Sequence, residues 1–305
     1  MAEERLTKDQ RRAAAQEVAR VMREKQKRRA RRNRAFLIGG TTLGILAIFA
    51  IVALVLVNSA KPAGPGPANM ASDGILITGT ADGLKVVEND AIPAGGDPTP
   101  TDTDSLTAQL HIVTYLDYLC PFCNQFEATN GAAIQQLIES GTADLEIHPI
   151  AILDRSSLGT NYSTRSANAA ACVAQYSPDQ YLDVNAALFA AQPQEQTAGL
   201  SDDDLIDVLS GAGASSDDIT TCIRDQTFKA WVSAATTRTL ADPDLKNADG
   251  NFGTPTVLVN GQRYEGSLTD ASEFQAFIGS VFTEAVDGGD GSTPTPTPTP
   301  TTPAQ

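Results

Sequence analysis

Cys120-Pro121-Phe122-Cys123 places two thiols three residues apart, and no other stretch of the chain concentrates so much chemistry. Before it, Leu110 to Leu116 (LHIVTYL) reads as a strand. After it, Phe126, Ala133, Ile134, Leu137 and Ile138 fall on one helical face until Gly141 supplies a stop. Cys120 is therefore expected at the end of a strand and the first edge of a helix, where unpaired backbone N–H groups and the helix dipole favour a thiolate. Cys123, one turn further in, is placed to attack a mixed disulfide formed on Cys120, and Pro121 costs no hydrogen bond at the first helical position. The spacing suits two-electron exchange between dithiol and disulfide, with Cys120 exposed, Cys123 shielded and no organic cofactor required. Half of a zinc site is the competing chemistry, and it needs two more ligands. Cys172 and Cys222 stand singly, 50 residues apart, and His111 and His148 each lie in a strand pattern, so no metal site is expected.

The elements that must position this pair read as α/β. Ile75 to Thr78 and Leu84 to Val87 flank a Gly-Thr-Ala-Asp-Gly turn and suggest a hairpin. Asp144 to Leu153 reads as a strand, and about 163–240 shows only helical periodicity, broken at Pro178, Pro193 and Gly211 to Gly213. Strand returns at Thr256 to Asn260, turns at Asn260-Gly261 and continues through Tyr264. Asp270 with Glu273 signals the start of a last helix striped by Phe274, Phe277, Ile278, Val281 and Phe282. The run Asp202-Asp203-Asp204 after Ser201 reads as a helix start, since no calcium loop follows it. Within the helical block, Cys172 and Cys222 both fall on apolar faces and point inward. In an oxidising compartment they would bond to each other and staple the block; otherwise they are two buried free thiols.

Charge divides the chain. Lys+Arg 22 against Asp+Glu 37 gives a net charge of −15, yet residues 1–34 hold 13 basic and 5 acidic residues and are strongly positive. The remainder is strongly acidic, which excludes nucleic acid as its partner. Residues 35–57 then run uncharged for 23 positions, long enough to span a bilayer as one helix. With the basic flank before it, the positive-inside rule leaves the N-terminus in the cytoplasm and everything after residue 57 outside. A cleaved signal peptide would have a shorter basic region and a better cleavage site than Asn58-Ser59-Ala60. The expected organisation is a basic cytoplasmic arm (1–34), a transmembrane helix (35–57), a Pro/Gly linker (58–73), a folded domain (74–286) and a Thr/Pro tail (287–305) that buries no core.

LDYLCPFCNQF, followed far downstream by FGTPTVLVNG, resembles the DsbA family of the thioredoxin superfamily, and its membrane-anchored bacterial members most. The resemblance spans about 74–284 and places the helical insert where the family has it. It implies a thioredoxin-like fold with an inserted helical subdomain, Cys120 as nucleophile, Cys123 as resolving thiol, and a cis Thr254-Pro255 peptide facing the pair and available to a substrate segment. From the residues alone, Gly253 to Thr256 is only a turn into a strand. Two departures matter. Phe122 stands where members often have a His that can donate to the thiolate, and Thr114 stands where many have a buried Glu. Asp117 is the nearest carboxylate in sequence, and it can relay a proton, cap the helix or lie in solvent.

The expected protein is a single-pass cell-membrane oxidoreductase whose extracytoplasmic domain oxidises or exchanges disulfides in exported proteins and is returned to its starting state by a membrane redox partner. Two readings compete: a thiol reductase or isomerase on the same scaffold, and a surface interaction module whose cysteines are only structural.

Overall fold

The computed structural model describes residues 64–288. The basic arm, the apolar segment 35–57, the first linker residues and the tail from 289 lie outside the described residues. Among those described, no helix is long and apolar enough to cross a membrane.

Six strands form one mixed sheet: β1 (Ile75–Thr80), β2 (Gly83–Val86), β3 (Leu110–Leu116), β4 (Ala143–Pro149), β5 (Thr256–Val259) and β6 (Gln262–Arg263), in the order β2-β1-β4-β3-β5-β6. Only β3 and β4 are parallel; helix α1 (Pro121–Glu139) makes the crossover between them. Gly141, at φ +71°, ends that helix, and the amides of Gly141 and Thr142 return to the carbonyls of Ile138 and Leu137. Alternation along β3 buries Leu110, Ile112 and Leu116. They share the core with Phe126, Ile134 and Ile138 of α1 and Phe274, Ile278 and Val281 of the last helix.

Between β4 and β5 the chain builds the insert: α2 (Tyr162–Tyr176), α3 (Tyr181–Ala190), α4 (Asp202–Gly211), α5 (Asp217–Asp225) and α6 (Lys229–Ala241). Three of its four breaks fall at the prolines and glycines that signalled them; the fourth, between α5 and α6, turns instead at Gln226, at φ +49°. Ser201 and Asp204 form a reciprocal capping box on α4, the role expected of the acidic run. Helix α7 (Ala271–Gly288) closes the fold. There Asp270 accepts from the Ser272 amide, while Glu273 reaches back to the amide of Ser267, so the two acids hold different donors.

The structure departs from the expected linker. Residues 66–73 are folded onto the domain: Met70 is fully buried, and the Gly66 and Asn69 amides donate to Ile92 O and Asn89 O at 2.8 and 2.9 Å. Asn69 Nδ2 donates to Ala174 O at 2.9 Å, while Asp73 accepts from Trp231 Nε1 (3.0 Å) and from Arg238 Nε and Nη2 (both 2.7 Å). Pro/Gly content signalled a spacer, but the polar side chains of Asn69 and Asp73 find partners that lie 105 to 165 residues away. The folded unit thus begins before residue 74.

Candidate active site

Antiparallel pairing of β3 with β5 (Thr114↔Val257, Tyr115↔Thr256) carries the Gly253–Pro255 turn to the end of β3 where the cysteine motif begins. The Thr254-Pro255 peptide is cis. Cys120 Sγ lies 3.3 Å from the Thr254 carbonyl oxygen, to which its thiol donates. Cys120 is the N-cap of α1 in extended conformation (φ −75°, ψ 115°), with Pro121 behind it and no side-chain cap. The first amides of the helix are thereby left for the sulfur.

The two thiols are free and their acidities are driven apart. A hydrogen bond from Cys123 outweighs the cost of burial and, with the Thr254 side chain and the amides of Cys123 and Phe122, lowers the Cys120 pKa to about 7. Burial pushes the Cys123 thiol well above its ordinary value. Against expectation, Cys120 is not exposed: it retains 4% of its surface and Cys123 2%, because the Thr254 turn covers the sulfur. What projects instead is Phe122, which is 57% exposed at the tip of the motif.

Asp117 departs from two of its three expected roles. It is fully buried rather than solvated, and it does not cap α1. Its Oδ1 accepts from the Leu119 amide (2.9 Å) and its Oδ2 from Ile152 (2.8 Å) and Leu153 (3.0 Å), tying the motif's approach to the loop after β4. Its backbone carbonyl accepts from the Cys120 amide at 2.9 Å. Burial raises its pKa to about 6 despite these donors. Thr114 lies buried within β3.

Cys172 and Cys222 are disulfide-bonded (S–S 2.00 Å) and join α2 to α5 within the insert. The insert also contributes groups beside the motif that its periodicity did not reveal. Tyr118 donates to Asn185 at 3.1 Å and packs against Phe189, with ring centroids 5.2 Å apart; Asn185 donates on to Glu127 at 3.1 Å. Burial raises the Glu127 pKa to about 7, only partly offset by Asn185. A second polar group lies on the other face of the sheet, where His111 and His148 each donate to Glu146 (3.0 and 3.1 Å) with Ser72 beside them. The alternation of His111 on β3 and of Glu146 and His148 on β4 was the signal for this cluster; only knowing that β3 and β4 are neighbours makes it readable.

The family model described as thioredoxin matches residues 105–280, more than half of the chain, and the protein belongs to that thioredoxin family. Within it, the fold is of the DsbA type. Reduced DsbA from Mycobacterium tuberculosis superposes with a TM-score of 0.51 at 24% identity, over 71% of this chain and 98% of that one. Oxidised BdbD from Bacillus subtilis gives 0.50 at 18% identity, over 73% and 98%. A 115-residue stretch is also 31% identical to part of the serine/threonine-protein kinase PknE of Mycobacterium tuberculosis, covering 37% of this chain. The match spans only 19% of the length of that curated relative.

Proposed function

We propose that this protein is a thiol-disulfide oxidoreductase that donates disulfides to exported proteins. The observation that carries the reading is the opposed acidity of the pair: Cys120 is lowered to about 7 while Cys123 is raised well above its ordinary value, on a fold of the DsbA type. In the oxidised form, a client thiolate attacks Cys120 Sγ; the bond between Cys120 and Cys123 breaks, and Cys123 leaves with the electron pair and takes up a proton. A second client thiolate then attacks the client sulfur of the mixed disulfide and displaces Cys120 as a thiolate. The client has lost two electrons and the enzyme has gained them, so a membrane redox partner must remove them. The Thr254 backbone beside Cys120, with Pro255, is where an extended client segment would lie. A depressed Cys120 pKa stabilises the reduced form and favours the oxidising direction over the reductase or isomerase reading.

An extracytoplasmic site fits the basic arm before the uncharged residues 35–57, and the buried Cys172–Cys222 disulfide suits an oxidising compartment. The test is Cys123→Ser, which removes the resolving thiol. Client proteins are expected to accumulate on Cys120 as mixed disulfides that dissolve on reduction, and a variant that traps none would sink the proposal. The equilibrium with glutathione settles direction, since a donor must be more oxidising than the glutathione couple.

A further inference from the structure

Gln192 follows the C-terminus of α3, and its side-chain amide reaches across to the cysteine motif. Its Nε2 donates to two backbone carbonyls, those of Tyr118 and Cys120, each at 3.0 Å. Its Oε1 accepts from Asn124 Nδ2 at 3.2 Å, and the same Asn124 nitrogen donates to the Phe189 carbonyl at 2.9 Å. The Gln192 backbone N–H donates in turn to Phe189 O at 3.2 Å. The orientation of the side chain follows from chemistry: reversed, its oxygen would face two carbonyl oxygens, and its nitrogen would face a donor.

We propose that Gln192 is a positioning residue for Cys120, acting from the helical insert on the peptide units that carry the nucleophile. The inference rests on the oxidoreductase reading for its significance and extends it to a residue outside the motif. Two effects follow from the geometry. Holding the carbonyls on either side of Leu119 fixes Cys120 as the N-cap, the conformation in which the first amides of α1 reach its sulfur. Pairing the Tyr118 oxygen, and adding a second donor to the Cys120 oxygen that already accepts from the Asn124 backbone amide at 3.2 Å, also offsets negative dipole ends in the turn bearing the thiolate. Neither effect requires Gln192 to touch the substrate. The insert is then part of the redox site through this contact.

The experiment is the pH dependence of iodoacetamide alkylation at Cys120 in the reduced full-length chain, read by peptide mass spectrometry. Gln192→Met keeps the length of the side chain and removes its donors and charge asymmetry. Its midpoint is expected to rise by about half a pH unit, a roughly threefold fall in the acid constant, as for one neutral hydrogen bond. The exchange equilibrium with glutathione should move toward the disulfide by a similar factor. Gln194→Met, at an exposed position two residues on, is expected to leave the midpoint where it was. Should Gln192→Met not fold, Gln192→Ala is read in the same way. An unchanged midpoint in the folded Gln192 variant, or an equal shift in the Gln194 control, overturns the proposal. Alkylation needs no client, so the two proposals fail separately. A Cys123→Ser variant that traps nothing while Gln192→Met still shifts Cys120 removes the function and leaves the clamp.

Discussion

Two thiols a single helical turn apart behave as different reagents because donors prevail at one and burial prevails at the other. Alkylation of the reduced protein is expected to label Cys120 with a midpoint near pH 7 and to leave Cys123 unmodified through pH 9. The sign of the linked stability follows. Cys120 has a folded value below its ordinary one of 9.0, so its contribution is fully present above pH 9 and is lost as pH falls through about 7. Urea melts of the reduced form should therefore show a gain across pH 7 to 9 of at most about 2 to 3 kcal/mol, absent in Cys120→Ser. Asp117→Ala strands three amides and should cost about 3 kcal/mol or more in the same melts. The settings of the cysteines were legible because they follow from spacing and from the strand-to-helix junction. Those of Asp117 were not, because two of its three donors lie 35 and 36 residues downstream.

At the scale of elements, the insert and the sheet are stabilised by different means. The Cys172–Cys222 bond closes a 50-residue separation, and the paired serine variant should lose up to about 4 kcal/mol in thermal or urea unfolding, with no change in Cys120 alkylation. Where β1 passes the end of α1, Gly79 allows close approach: a Cβ there would run into the Ile138 carbonyl oxygen. Gly79→Ala is expected to unfold the edge of the sheet, seen as loss of amide-exchange protection in β1 and β2. Helices were readable from periodicity and from their proline and glycine breaks, and the β1–β2 hairpin from its turn residues. Strand order was not, because it depends on which strands meet after the insert has intervened, and the pairing of β3 with β5 joins segments more than 140 residues apart.

Across the whole domain, acid sensitivity should come from the far face of the sheet. Burial works against the Glu146 carboxylate, but hydrogen bonds from His111, His148 and Ser72 together prevail and hold its pKa far below the usual carboxylate range. A carboxyl lowered in this way contributes stability that is present above its unfolded value and disappears as pH falls below it. Glu146→Gln, which sets an amide against two imidazole donors, should cost about 3 kcal/mol at pH 7 and flatten the acid limb of the stability curve, as measured by urea melts from pH 3 to 7. This cluster, like the packed segment before β1, escaped sequence reading because composition reports what a stretch can bury alone and is silent on partners supplied elsewhere.

That packed segment has a mechanical consequence. Tension arriving along the chain from before residue 64 meets Ala68 and Asn69, bonded to the end of α2, and then Asp73, gripped by Trp231 and Arg238 of α6. Load is passed into two helices of the insert, and through the Gly66 and Asn69 amides into the segment after β2, before it reaches β1, so the start of that strand is shielded from a pull on the leading end of the chain.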